Sequence, residues 1–99
     1  MKIGVKKEDG TLKLEMTGRL DTTTAPQLEE VFCKHSADIK HLIMDCSNLE
    51  YMSSAGLRVV LIAHKTMIGQ GGTMVVCGVN AEIKEVFDIT GFSKFLKIE

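Results

Sequence analysis

Asp45-Cys46-Ser47-Asn48-Leu49-Glu50-Tyr51-Met52-Ser53-Ser54-Ala55-Gly56-Leu57-Arg58-Val59-Val60-Leu61 is the stretch that decides the fold. Leu42, Ile43, Met44 and Cys46 form a nearly continuous apolar run into it, broken by Asp45. Such a run suits a strand covered on both faces, or a central strand of a mostly parallel sheet. From Ser54 the pattern changes period. Leu57, Val60, Leu61, His64 and Ile68 trace one helical face, and Val59, Ile62, Ala63 and Met67 widen it. This helix is expected to be the most buried. Two serines therefore stand where a buried strand gives way to a buried helix, a place where an α/β domain can expose chemistry without weakening its core.

Ile3 and Val5, then Leu12, Leu14 and Met16, alternate with polar residues on either side of Glu8-Asp9-Gly10. Two period-two runs joined through Asp-Gly read as an antiparallel hairpin, with Leu20 closing the second strand. Asp21-Thr22-Thr23-Thr24-Ala25-Pro26-Gln27 reads as a helix start, with Thr24 as cap and Gln27 three residues on, as in a capping box. Leu28, Val31, Phe32 and His35 continue at helical spacing. Gly69-Gln70-Gly71-Gly72 stops the central helix. Thr73–Val79 is a second buried strand, Asn80 caps a helix carrying Ile83, Val86, Phe87 and Thr90, and Phe92 can fold back on it. Phe95, Leu96 and Ile98 supply a short last strand. The order β-β-α-β-α-β-α-β, with right-handed crossovers, predicts an α/β fold: a small mixed β-sheet of about four to five strands, with amphipathic helices mainly on one face.

The whole chain narrows the function. Its 99 residues suit one domain, spanning 1–99, and a chain of this size buries about two thirds of its unfolded surface. Net charge is −1, the basic residues are dispersed and there is no Trp, which argues against direct nucleic-acid binding. Cys33, Cys46 and Cys77 lie far apart with no metal-ligand spacing and read as small core residues of a reduced compartment. No signal-peptide core and no run near the roughly 20 residues of a membrane span is present. A cytoplasmic protein without metal or cofactor is expected.

Ser53 and Ser54 admit two compatible readings. One is an N-cap, contributing about 1 kcal/mol. The other is phosphorylation, which adds about −1.5 to −2 charges at a helix N-terminus whose free amides and dipole tolerate them. A hydrolase nucleophile fits poorly: the G-x-S-x-G elbow is absent, Met52 standing two before Ser54, and His35, His41 and His64 offer no placed base. Asp21 reads as helix-start stabilisation or as an acidic contact beside the serine loop, since parallel strands bring both loops to one sheet edge. Asp45 reads as a contact to Ser54 or a strand-end cap. Gly69–Gly72 lacks the Lys-Ser/Thr of a phosphate loop and reads as a turn.

Three motifs together resemble a known family. Gly18-Arg19-Leu20-Asp21 followed by Thr-Thr-Thr-Ala-Pro, Tyr51-Met52-Ser53-Ser54-Ala55-Gly56-Leu57, and Gly71-Gly72-Thr73-Met74-Val75-Val76-Cys77-Gly78 look like the STAS domain. The chain is most similar to the bacterial anti-sigma factor antagonists, over nearly its whole length. The resemblance implies a non-enzymatic partner switch. The unmodified protein binds an anti-sigma factor that is also a serine kinase and so releases a sigma factor. Phosphorylation at the matching serine, Ser54 (alternatively Ser53), ends that binding, and a PP2C-type phosphatase restores it. Ser53 replaces the Asp that other members carry before the phosphoserine. The implied partner face comprises Asp21, Thr22, Thr23, Ser53, Ser54, Ala55, Gly56 and Arg58, with small residues at Ala55 and Gly56 allowing close approach. The alternative is a STAS regulatory subunit of a transporter or stress-signalling assembly without serine phosphorylation.

Overall fold

A computed structural model describes all 99 residues. The elements run β1 (Lys2–Glu8), β2 (Thr11–Leu20), α1 (Ala25–His35), β3 (His41–Met52), α2 (Ser54–Gly69), β4 (Thr73–Cys77), α3 (Ala81–Thr90), a 3-10 turn (Phe92–Lys94) and β5 (Lys97–Ile98). The five strands lie in the order β1-β2-β3-β4-β5. β1 is antiparallel to β2, and the remaining pairs are parallel. Asp9 and Gly10, both at positive φ, make the hairpin turn that Asp-Gly announces. The mixed sheet and the element order are those expected from the pattern.

One face of the sheet carries the core. Leu12, Leu14 and Met16 of β2, Leu42, Met44 and Cys46 of β3, and Met74 and Val76 of β4 are buried. They pack with Ala25, Leu28 and Phe32 of α1, Val59, Val60, Ala63 and Met67 of α2, and Ile83 and Phe87 of α3. The alternate residues, among them Lys13, Glu15, Ile43, Asp45, Val75 and Cys77, are half-buried. β3 is therefore covered by helices on one side only.

β3 also runs further than its apolar run suggests. Its pairing with β2 slips twice, at Glu15/Thr17 and at Gly18/Arg19, and each slip leaves an extra residue in β3. Bulges of this kind shift the inward phase of a strand. The buried positions accordingly change from Leu42, Met44 and Cys46 to Leu49 and Met52. Cys46 and Ser47 together stand opposite Met16 in the first bulge. As a result Asp45 lies within the strand on the open sheet face, far from its end. Its Oδ1 accepts from the Ser47 amide (2.9 Å) and hydroxyl (2.6 Å), and its other oxygen lies 3.8 Å from Lys13 Nζ. It neither contacts Ser54 nor caps the strand.

Three other expectations are corrected. The core face of α2 is Gly56, Leu57, Val59, Val60, Ala63 and Met67, while Ile68 is 61% exposed and His64 tilts against Phe95 at 5.0 Å. The helix does hold more buried residues than α1 or α3, but its inward stripe is rotated from the one traced through Leu61, His64 and Ile68. Cys33 is exposed, one residue past buried Phe32 and so turned about 100° from the core, whereas Cys46 is buried and Cys77 half-buried. Phe95 and Leu96 lie outside β5; Phe92, as expected, stacks on Phe87 of α3, and Phe95 packs against Phe92.

Asn80 ties α3 to the overhang of β3. Its side-chain oxygen accepts from the Ile83 amide at 2.8 Å, and its amide nitrogen donates to Leu49 O and Glu50 O. Just before it, Gly78 stands at φ +72° with the site of a Cβ only 2.8 Å from the Ser47 backbone nitrogen. Left-handed backbone and close approach both exclude a side chain there. Gly78→Ala is expected to lower unfolding free energy by roughly 2–4 kcal/mol in urea titrations, with the denaturant slope unchanged; an unchanged midpoint would show that the 78–80 turn is dispensable.

Candidate functional site

The last residues of β2 and β3 pair side by side, Leu20 opposite Met52, and the Ser53 amide donates to Leu20 O at 2.9 Å. The two following loops thus emerge together at the C-terminal edge of the parallel strands, where ligands of open α/β sheets gather. From β2 come Asp21, Thr22 and Thr23. From β3 come Ser53 and Ser54, with Ala55 and Arg58 one turn into α2.

The two serines divide their roles. Ser53 is the N-cap: its backbone is extended (φ −91°, ψ 176°) and its hydroxyl accepts from the Gly56 amide at 3.4 Å. Ser54 is the first helical residue and is exposed. The two roles that the pattern leaves open to either serine are thus divided: the cap belongs to Ser53, and the Ser54 hydroxyl lies outside the helix's own bonding.

The first loop is organised by Asp21. Its Oδ1 accepts from the Thr23 amide (3.0 Å), the Thr23 hydroxyl (2.8 Å) and the Thr24 amide (3.2 Å). These bonds, the Thr23 hydroxyl first, favour the charged carboxylate and hold its pKa below the ordinary aspartate value, against a smaller opposing effect of desolvation. The Thr24 side chain does not cap α1. It turns back, accepting from the Asp21 amide (2.9 Å) and donating to Arg19 O (2.7 Å). Gln27 does not complete a capping box either; its amide donates to Met1 O at 3.2 Å. α1 therefore starts at N-cap Thr24 without a side-chain cap bond, and the Asp21 carboxylate organises the turn that precedes it. Thr22 and Thr23 remain exposed at the surface.

Gly56 is the partner-face candidate that lies inside. It is buried, and a Cβ there would stand 2.7 Å from Leu20 Cγ and 3.0 Å from Met52 Cγ. Its smallness lets α2 sit on the ends of β2 and β3 and does not open the surface. Ala55 is half-buried and, with Thr22, Pro26, Glu29 and Arg58, lines a shallow groove of about 100 Å³ between the starts of α1 and α2. Arg58 Nη1 crosses it to Glu29 Oε1 at 3.7 Å. At the other flank, the guanidinium of Arg19 lies 4.3 Å above the Tyr51 ring. Arg19 and Tyr51 stand in the motifs quoted above without a role assigned to either side chain, and Glu29 was not singled out. The signal available was that the chain's two arginines both lie within four residues of Asp21 or Ser54.

Nucleophilic catalysis finds no support in the geometry. His35 Nδ1 bonds Val31 O, His41 Nδ1 bonds Thr73 Oγ1 and His64 packs on Phe95, so each imidazole is engaged away from the serines. A larger cleft of about 390 Å³ lies beside Lys6, Asp9, Thr11 and Ile43. It sits at the N-terminal ends of the parallel strands, opposite the serine loop. No helix is long and apolar enough to cross a membrane.

Comparison with known proteins gives a consistent result. The family model for the STAS domain matches residues 2–99. The chain is 37% identical over 93 residues to BtrV of Bordetella bronchiseptica, a candidate anti-sigma factor antagonist, covering 93% of this chain and 80% of that protein. It is 29% identical to the anti-sigma F factor antagonist of Paenibacillus polymyxa, covering 99% and 86%. The fold matches that of the anti-sigma factor antagonist SpoIIAA in its unphosphorylated form, with TM-score 0.80 at 15% identity over 99% of this chain and 87% of that one. It also matches phosphorylated SpoIIAA of Bacillus, with TM-score 0.78 at 16% identity over 99% and 91%.

Two measurements check the geometry. Ser53→Ala is expected to cost about 0.5–1 kcal/mol in denaturant unfolding and Ser54→Ala to change stability by less than about 0.5; the reverse ranking would move the cap to Ser54. The Asp21 carboxyl, followed by NMR, is expected to titrate below the ordinary aspartate range and to move up towards it in Thr23→Ala. Because the folded pKa is the depressed one, the loop's contribution to stability is present above the ordinary aspartate pKa and is lost as pH falls through the folded value. An unchanged midpoint in Thr23→Ala would remove the assigned cause.

Proposed function

The chain belongs to the STAS domain family, and from that premise we propose that it is an anti-sigma factor antagonist switched by phosphorylation of Ser54. The related antagonists support the class, and they favour it over a transporter subunit. The observation that carries the switch is the division between the serines: Ser53 is committed to the cap and Ser54 stands exposed at the first turn of α2.

In the unmodified state the face formed by Asp21, Thr22, Thr23, Ser53, Ser54, Ala55 and Arg58 binds the anti-sigma factor, which then releases its sigma factor. Gly56 supports that face from beneath. The anti-sigma factor doubles as a serine kinase. The bond from Ser54 Oγ to the γ-phosphorus of ATP forms as the β–γ bridging P–O bond breaks; ADP leaves, and the hydroxyl proton passes to a base of the kinase. A PP2C-type phosphatase reverses the modification with water as nucleophile, freeing inorganic phosphate and restoring the hydroxyl. The chain itself supplies a substrate and a binding surface, with no catalytic residue or cofactor.

One phosphate suffices as a switch. It brings about −1.5 to −2 charges to a surface that must be desolvated when the partner docks. Leaving a charge buried and unpaired in an interface costs about 2–5 kcal/mol, and each ~1.4 kcal/mol is tenfold in affinity. Arg58 is the one cation among these face residues, and a single positive charge offsets only part of it.

The test is binding and modification by an anti-sigma factor serine kinase from the chain's own source. Incubation with ATP is expected to add one phosphate, mapped by mass spectrometry to Ser54 and absent from Ser54→Ala. Ser54→Asp is expected to weaken binding at least tenfold by calorimetry while Ser54→Ala still binds. Phosphate on another residue, or equal binding by Ser54→Asp, would contradict the reading.

A further inference from the structure

The chain has two arginines, and both stand beside the serine loop. Arg19 is engaged over the Tyr51 ring on the β2 side. Arg58 is held differently. Its Nη1 reaches Glu29 Oε1 at 3.7 Å, with the two side chains 71% and 37% exposed. A pair this long and this exposed holds its members weakly.

Arg58 also follows Ser54 by four residues on α2, on its exposed side. Helical residues at this spacing bring their Cβ atoms within about 5–6 Å, and an anion N-terminal to a cation is the favourable order. A hydroxyl at position 54 gives the guanidinium little to bind. A phosphoryl group gives it three acceptor oxygens and up to twice the charge of the Glu29 carboxylate. A guanidinium fork matches phosphate oxygens in a way that a lone ammonium cannot.

Resting on the reading of Ser54 as the modified residue, we propose that Arg58 is the receptor for its phosphoryl group and leaves Glu29 to take it up. The exchange alters both sides of the groove between α1 and α2. Before modification Arg58 and Glu29 cancel across it. Afterwards Arg58 is turned to the phosphate, the bridge from α2 to α1 is gone, and the Glu29 carboxylate faces the partner unpaired. The groove changes from a neutral, bridged surface to one carrying about −1.5 to −2 charges. Arg58 thus reports the state of Ser54 to α1, which no atom of Ser54 needs to touch.

The test places phosphoserine at position 54 of the full chain by genetic encoding, so that no kinase is required, and follows the second phosphoryl ionisation by phosphorus NMR from pH 4 to 8. The field of the α2 N-terminus acts on every variant alike, and differences between variants isolate the arginine. Arg58→Gln is expected to raise the midpoint by about half a pH unit, because the dianion loses its cation. Glu29→Gln is expected to lower it, because Arg58 is then uncontested. Arg19→Gln is expected to leave it in place. A midpoint unmoved by Arg58→Gln, or moved equally by Arg19→Gln, would overturn the proposal. A partner that binds the phosphorylated chain as well as the unmodified one would instead sink the switch reading and leave this titration standing.

Discussion

The parallel pairing of β2 with β3 is the constraint on which the rest depends. Backbone bonds run along both strands to their last residues, Leu20 and Met52, and one more bond joins the Ser53 amide to Leu20 O. That register delivers two loops to the same point on the sheet edge. Without it Asp21 and Ser54 would be unrelated polar residues at two helix starts. With it they form one surface, anchored below by buried Leu20, Met52 and Gly56. The hydrophobic core acts on function through these three residues: it fixes where α2 begins, and hence which serine is a cap and which is free.

A surface built this way is suited to a change of chemistry without a change of fold. The groups that organise it are small and locally satisfied: Asp21 by the Thr23 and Thr24 groups, Ser53 by the Gly56 amide. None of them spans the core. On the proposed reading, charge added at Ser54 acts on the groove and its Arg58–Glu29 pair while the sheet beneath keeps its bonds. A partner that reads this edge therefore responds to modification as a matter of desolvation and charge pairing, and the scaffold serves as a rigid mount.

Much of this was legible in the residues themselves. The alternation of Leu12, Leu14 and Met16, the Asp9-Gly10 turn and the period change after Met52 define the hairpin, the parallel sheet and the central helix. The illegible parts share one cause: several residues were chemically able to fill a role, and geometry chose among them. Ser53 and Ser54 both cap helices, and the extended backbone at Ser53 decides. Asp21 and Thr24 both suit a helix start, and neither side chain caps α1: Thr24 turns back to Arg19 O and Asp21 holds the preceding turn. Ala55 and Gly56 are both small, but one lines a groove and at the other a Cβ would stand under 3 Å from the Leu20 side chain. The two bulges in β3 broke the period-two pattern, so Asp45 read as a strand end. Glu29 and Tyr51 gave no local signal, since their importance lies in which arginine each one holds.

The central claim is that modification of Ser54 rewrites a surface on an unmoved scaffold. Amide hydrogen exchange of the unmodified chain and of the chain carrying phosphoserine at position 54 tests it most directly. Unchanged protection is expected along β2, β3 and the buried turns of α2, with differences confined to the Asp21–Thr24 loop, the first turn of α2 and the start of α1. Loss of protection in β3 or in the body of α2 would contradict the account, because the phosphate would then act by loosening the fold that presents it.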